Sequence, residues 1–176
     1  ALVVAGCLPQ RYGGELSKQV HYRAYLKYIN RNDFDDRGGV PAHDQWDAAR
    51  GGVRVDWQLT DADRLSLQGD YYGGETDETS LLFSQSETDV GGGNAIGRWT
   101  HEFSEDSDLQ LRLWYDRTER DGDLLGEDRD TFDVELQHRW SPLDRHDLVW
   151  GAGYRLTADE LDDSSGLGFD PDSRTV

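Results

Sequence analysis

The stretch VHYRAYLKYI, residues 20–29, separates into two alternating sets: Val20, Tyr22, Ala24, Leu26 and Tyr28 against His21, Arg23, Tyr25, Lys27 and Ile29. Successive side chains of a strand point to opposite faces, so the stretch predicts a β-strand with an apolar face and a face that carries three basic groups. This basic face is unexpected, because the whole chain has a net charge of −18.

The composition limits the classes of protein to which the chain can belong. Its 176 residues fit one domain, and the hydrophobic fraction of 35% is low for a globular core, although 11% aromatic residues argues against disorder. The acidic balance disfavours nucleic acid as a partner, and the single cysteine, Cys7, allows no internal disulfide. No apolar run approaches the roughly 20 residues of a membrane helix. Since the chain has no methionine and no signal-like segment, we expect a processed or excised piece.

The same alternation recurs along the chain and predicts about nine strands and no amphipathic helix. The predicted strands cover residues 2–6, 11–16, 20–29, 53–59, 65–71, 95–103, 109–116, 132–140 and 148–156. Short connections at 17–19, 61–63, 105–107 and 142–146 alternate with long ones at about 30–48, 73–93, 117–130 and 157–176. Tight turns at one end and long loops at the other are typical of an outer-membrane β-barrel.

Charge and aromatic residues follow the same division. The four long connections hold 22 of the 36 acidic residues and 6 of the 18 basic ones, so the predicted strands are nearly neutral. On the apolar face, one row of aromatic residues lies next to the long connections and a second row lies next to the short ones: Tyr28, Tyr71, Tyr115 and Tyr154, then Tyr22, Trp57, Phe103 and Trp140. Such rows bound the apolar band of a membrane barrel, because aromatic rings prefer the headgroup level.

A soluble antiparallel sandwich or small barrel remains an alternative, because its sheet also has one wet and one dry face. A membrane barrel leaves the leucines and valines of the apolar face exposed in the structure, whereas a soluble module buries them: Leu65, Leu67, Leu111, Leu113, Val134 and Leu136. A third hypothesis is a self-assembling β-sheet protein or fragment, which predicts in-register pairing between identical chains.

The succession of segments resembles the TonB-dependent outer-membrane receptors, in the early part of their β-barrel. The segment RYGGELSKQVHYRAYLKYINRNDF is similar to the family's early hairpin, RGGVRVDWQLTDADRLSLQGDYYGG to the next hairpin, and HDLVWGAGYRLTADEL with GLGFDPDSRT to a later strand and loop. The resemblance implies an all-β, up-and-down antiparallel meander, with residues 1–176 as a partial barrel domain without the plug domain. The family's barrel has twenty-two strands, so the segment alone cannot close.

The resemblance also implies a location in the bacterial outer membrane and uptake of a scarce ligand such as a ferric siderophore, with TonB acting through the missing plug. The implied partners are outer-membrane lipid, the remainder of the barrel, the plug and this small ligand. Ligand contacts in the family involve the plug and the long loops, so the candidates are Phe34, Trp46, Tyr72, Phe83 and Phe169. The basic residues of the polar face are expected to line the lumen, where they stiffen the wall and contact the plug: Arg23, Lys27, Arg54, Arg98, Arg112, Arg139 and Arg155.

No sequence pattern indicates an enzyme, a cofactor or a metal site. The chain has no nucleophile elbow or phosphate loop, and GGGNAIG at 91–97 lacks the Lys-Ser/Thr ending of such a loop. The five histidines are scattered without metal-ligand spacing. The acidic segments NDFDD and DGDLLGEDRD lack the spacing of a Ca²⁺ loop, so we expect solvated loops there.

Overall fold

The computed structural model describes residues 5–31, 45–79, 85–122, 126–143, 145–162 and 172–175. These residues form eight long strands and a short ninth one: β1 Ala5–Ser17, β2 Val20–Arg31, β3 Trp46–Gln58, β4 Asp63–Thr79, β5 Gln85–Ser104, β6 Ser107–Asp121, β7 Gly126–Leu143, β8 His146–Asp162 and β9 Asp172–Thr175. All nine belong to one sheet in the order β1 to β9, and every neighbouring pair is antiparallel. The predicted all-β antiparallel meander is confirmed, and the sheet is open.

The first two predicted strands are wrong in their boundaries. Residues 11–16 belong to a single strand β1 that begins at Ala5, while residues 1–4 lie outside the described part of the chain. Pro9 lies within β1, between the two predicted strands. Proline lacks a backbone N–H, but a strand at the edge of a sheet tolerates it, and β1 occupies that position in the strand order.

Tight connections lie at one end of the sheet, which we call the turn end. Only Lys18 and Gln19 separate β1 from β2, and only Glu105 and Asp106 separate β5 from β6. The register shifts next to three of these connections, as expected for β-bulges beside tight turns. Neighbouring connections are also joined, since the backbone N–H of Gln58 donates to the backbone carbonyl of Gln19 at 2.8 Å. The predicted short turns are therefore confirmed.

The opposite end, which we call the loop end, differs from the sequence-based expectation. Two of the predicted long loops are mostly strand, because β4 continues to Thr79 and β5 begins at Gln85, while β6 continues to Asp121 and β7 begins at Gly126. Strand β8 likewise extends to Asp162, into the fourth predicted loop. Only the connection after β2 keeps about its expected length. Most of the acidic residues assigned to loops therefore extend the hydrogen-bonded ladders beyond the apolar part of the sheet.

Burial in this sheet is the reverse of burial in a globular domain. None of the hydrophobic residues that the structure describes is buried, whereas four polar or charged ones are: Asp70, Thr88, Thr131 and Asp133. Leu67 and Leu113 are 49% and 43% exposed, and Leu65, Leu111, Val134 and Leu136 are partly exposed. The described residues form one layer with no second layer packed on it, and no helix among them has the length and apolarity to cross a membrane.

Candidate functional site

The sheet presents two chemically different faces, and these are the candidate functional surfaces. On the apolar face, cross-strand neighbours are aliphatic or aromatic along whole rows of the ladder. One row runs from β2 to β8 through Tyr22, Val55, Leu67, Gly97, Leu113, Val134 and Tyr154. The next row runs through Ala24, Val53, Gly69, Ala95, Tyr115, Phe132 and Leu156. We call the rows between the two sets of aromatic residues the apolar band.

The aromatic row at the loop end, Tyr28, Tyr71, Tyr115 and Tyr154, crosses the sheet obliquely. Tyr28 is in register, through Ala49 of β3, with Gly73 of β4. Tyr71 lies two residues from Gly73 toward the turn end. The same offset of two residues, in the same direction, separates Tyr71 from Tyr115 and Tyr115 from Tyr154. The row therefore moves toward the turn end by two residues for every second strand.

The aromatic row at the turn end, Tyr22, Trp57, Phe103 and Trp140, is inclined in the same direction. Across the ladder, Trp57 of β3 is in register with Leu136 of β7. Trp140 lies four residues beyond Leu136 toward the turn end, after a distance of four strands. Phe103 of β5 already lies four residues beyond the register position of Trp57, so this row shifts unevenly. On average both aromatic rows shift by about one residue per strand, and the apolar band crosses the strands at an angle.

On the polar face, strands β6 to β8 carry an ion-pair network. Asp133 is buried and accepts a hydrogen bond from Arg155 Nε at 3.0 Å, and Arg112 lies 3.9 Å away on its other side. Arg112 also donates to Glu135, its cross-strand partner. The Arg155 guanidinium lies 5.5 Å from the ring of Trp114, a cation–π distance. These groups neutralise one another within the sheet.

Strands β2 and β3 of the polar face differ, because basic residues stand opposite basic residues. Arg23 is the register partner of Arg54, and Lys27 is the partner of Arg50. Arg54 forms an ion pair with Asp56 of its own strand, with an N–O distance of 2.7 Å. Like charges directly opposite each other destabilise a sheet, so this corner concentrates positive charge at a cost in stability. The pair Arg98 and Arg112 repeats the arrangement between β5 and β6.

A compact polar cluster lies beside these basic pairs. The Tyr25 hydroxyl donates to the buried carboxylate of Asp70, which Arg50 approaches to 3.7 Å and Gln68 reaches with a hydrogen bond of 3.2 Å. Gly52 lies directly across from both partners. A Cβ at Gly52 would collide with the Asp70 carboxylate and the Tyr25 ring, so glycine here makes room for the pair.

At the turn end, another residue predicted to line the lumen, Arg139, pairs with a carboxylate on the adjoining strand. Its Nε lies 3.1 Å from Asp147, to which the Ser141 hydroxyl also donates at 3.0 Å. These two donors, the guanidinium first, hold the pKa of Asp147 below its usual range. Asp147 lies next to the β7–β8 turn and outside the apolar band.

The structure also assembles a ring cluster that the sequence did not indicate. His101 and His138 lie on the apolar face near the turn end, where Phe103 contacts both with ring centroids 4.6 and 6.1 Å away. Trp150 Nε1 donates to His138 at 3.0 Å, and Asp63 accepts from His101 at 2.7 Å. The histidines appeared scattered because their proximity depends on the register of three strands.

The aromatic ligand-binding candidates are placed differently from the prediction. Trp46 is the first residue of β3 and Tyr72 lies within β4, so neither belongs to a loop. Both have the alternation phase of the polar face and lie near the loop end, and the Tyr72 hydroxyl packs against Gly92. Phe34, Phe83 and Phe169 lie outside the described residues.

The described residues hold no group of three or more His, Cys, Asp or Glu placed to hold a metal ion. No protein-family model, curated protein or solved structure matches the chain.

Proposed function

We propose that the chain is a wall segment of a TonB-dependent outer-membrane receptor, with the apolar face toward lipid and the polar face toward the lumen. The oblique course of both aromatic rows carries this proposal. Interfacial aromatic residues mark a flat boundary, so strands that the boundary crosses obliquely are tilted in the membrane. A shift of one residue, about 3.3 Å, for each strand spacing of about 4.8 Å gives a tilt of roughly 35°. Membrane barrels have strands tilted by about 35–45°.

The exposure of the apolar face supports lipid as its surroundings. In a soluble sandwich the residues of this face pack on a second sheet, and no described residue provides that sheet. Exposed apolar patches larger than a few hundred Å² mark interaction surfaces. A band of leucine, valine and alanine between two aromatic rows matches a hydrocarbon layer bounded by headgroups.

The polar face supports a lumen with a docked partner. The β6–β8 network is neutralised internally, which suits a stiff wall. Asp56 and Asp70 offset part of the charge of the Arg23–Arg54 and Lys27–Arg50 pairs. Four basic groups against two carboxylates leave this corner positive, which suits contact with acidic groups of a plug domain. Trp46 and Tyr72, on the same face near the loop end, are then the described candidates for ligand contact.

The receptor class and its ligand rest on the sequence resemblance described above. The proposed activity is energy-dependent uptake of a scarce ligand such as a ferric siderophore, without chemical conversion of that ligand. The remainder of the barrel, beyond β1 and β9, would satisfy the two sheet edges, because unpaired backbone groups are costly in lipid.

Polarised infrared spectroscopy of the full-length protein in oriented bilayers tests the barrel. We expect a strand tilt of about 35–45° from the membrane normal. Strands without a preferred orientation, or a protein that stays in the aqueous phase, would contradict the proposal and favour the soluble module. A repeat near 4.7 Å along a fibre axis would favour the self-assembled sheet.

Two observations test the receptor. The gene should encode a plug domain upstream of this segment and about thirteen further strands downstream, to complete the twenty-two strands that the resemblance implies. A deletion strain supplied with iron only as ferric siderophores should lose growth with at least one of them. Growth unchanged across a broad siderophore panel, together with no plug-encoding sequence, would contradict the receptor while leaving the barrel intact.

A further inference from the structure

The apolar band contains a groove whose floor is formed by two glycines and an alanine. Its volume is about 470 Å³, and it lies between β3 and β7 at mid-height of the band. Gly69, Ala95 and Gly97 contribute the floor, and the walls are larger apolar side chains: Val53, Val55, Leu67, Leu113, Tyr115 and Phe132. Among the lining side chains that alternate onto the apolar face, the Tyr115 hydroxyl is the one polar group. It donates a hydrogen bond to Asp130 at 2.6 Å, toward the loop end.

The two glycines of the floor are not required by the backbone or by packing. A Cβ at Gly69 would meet only the Asn94 carbonyl at 3.4 Å, and a Cβ at Gly97 only Leu67 Cδ2 at 3.5 Å, which are ordinary contacts. The register is continuous through both positions, so neither marks a bulge. Glycine within a strand weakens it and often marks a bulge, a bend of a barrel wall, or a site where another molecule approaches closely; the open space above these two glycines fits the last of these. The space above Gly69 and Gly97 therefore has the features of a ligand site.

We propose that this groove holds one acyl chain of a membrane lipid at a fixed position, an inference that rests on the proposed function. The occupant must be apolar, because the groove offers no side-chain hydrogen-bond donor or acceptor within it. It must also fit the space above a few small residues that the Leu67, Leu113 and Phe132 side chains flank. A hydrocarbon chain satisfies both conditions. The groove lies between the two aromatic rows, where the proposed membrane would supply such chains.

A second copy of the chain is a poorer occupant on grounds of charge. Just beyond the aromatic row at the loop end, five acidic residues share the phase of the apolar face: Glu75, Asp89, Glu119, Asp121 and Asp128. Arg117 pairs with Glu119 and Asp128 but does not offset all five carboxylates, so this end of the face stays acidic. Two copies in one membrane have the same orientation, so pairing through the groove would bring these acidic ends side by side. Juxtaposed like charges disfavour such a contact.

Photolabelling of the full-length protein in bilayers tests the proposal. The probe is a phosphatidylcholine that carries a diazirine near the end of one acyl chain, and labelled peptides are quantified by mass spectrometry. We expect the segments around Gly69, Ala95 and Gly97 to be labelled several-fold above the average of the apolar band. The Gly69→Leu/Gly97→Leu variant fills the groove and should reduce that labelling to the average. Ala152→Leu, at an exposed residue of the same band on β8, adds apolar bulk outside the groove and should leave the labelling unchanged.

The outcomes separate this inference from the proposed function. Even labelling across the band in the wild type would overturn the acyl-chain site while supporting the lipid-facing wall. No labelling of the apolar face at all would overturn both. Mass photometry provides the remaining outcome: if the wild type is a dimer that the double variant dissociates, the groove holds a second copy and the lipid assignment is wrong.

Discussion

The two faces of this sheet invert the usual relation between polarity and burial. On the apolar face, Leu67 and Leu113 are roughly half exposed and have no covering layer, whereas on the polar face Asp70 and Asp133 are buried by the side chains around them. In water the apolar face would be costly, because exposed hydrocarbon prefers burial, whereas the two buried carboxylates are compensated by their hydrogen-bond and ion-pair partners. Under the proposed function the apolar face meets lipid and the polar face meets water, and the predictions below test this difference, from the largest effect to the smallest.

The largest effect is expected from a charge placed in the centre of the apolar band. Leu111→Arg, midway on β6 between Tyr115 and the register partner of Trp140, should lower the free energy of unfolding of the full-length protein in lipid vesicles by about 2–4 kcal/mol, the cost of arginine at the bilayer midplane. The control is Gln110→Arg on the opposite face of the same strand, where the guanidinium remains hydrated and the change should stay within about 0.5 kcal/mol. Chemical denaturation in vesicles measures both. Equal losses at the two positions would show that the faces have the same solvent.

The next effect concerns the buried carboxylate of the polar face. Asp133→Asn should cost about 1–3 kcal/mol, because Arg112 and Arg155 lose their shared partner while remaining partly hydrated themselves. Asp116→Asn is the matched control, since this aspartate of the same face has only a hydrogen bond of 3.5 Å from Thr118. The same denaturation experiment measures both variants. An unchanged stability of Asp133→Asn would mean that the network contributes nothing to the wall.

The sequence predicted the two faces but not the full length of the strands. Alternation identified the faces wherever one side meets an apolar environment, as in residues 20–29. At the loop end of β4, the segment ETDET, residues 75–79, continues the ladder with polar side chains on both sides, so alternation has no signal there. The backbone N–H and C=O groups that extend the ladder are the same whatever the side chains are, so they leave no pattern in the sequence. The predicted long loops at 73–93 and 117–130 were wrong for this reason.

The side-chain clusters could not be predicted because they depend on register. Arg155 reaches Trp114 across two strands, and His138 meets Phe103 only when β5, β6 and β7 are aligned. A shift by one residue would move each side chain to the other face. Sequence patterns assign the face of a residue, whereas its neighbours require the alignment of every strand between them.

A smaller effect should distinguish the two halves of the polar face. Lys27→Gln removes one member of a like-charge pair, so it should raise the free energy of unfolding by about 0.2–1 kcal/mol. Arg155→Gln should lower it, because Asp133 loses a hydrogen-bonded partner. Denaturation of both variants in vesicles gives the two signs. A loss of stability in Lys27→Gln would mean that this lysine already has a stabilising partner within the protein, and the corner would no longer be a candidate for plug contact.

The smallest effect is a pH dependence at the turn end, where the polar groups lie in water. The pKa of Asp147 is lowered in the folded protein by Arg139 and Ser141, so its stabilising contribution is present above the unfolded value of about 3.9 and is lost as the pH falls through the folded value. The denaturation midpoint should therefore fall less between pH 6 and pH 3 in Asp147→Asn than in the wild type, whereas Asp61→Asn, at an exposed turn, should follow the wild type. Because the pair is hydrated, this difference should also shrink in high salt. A difference that persists in high salt would mean that the turn end is shielded from water, and the boundary of the apolar band would then lie closer to the turns than Trp140.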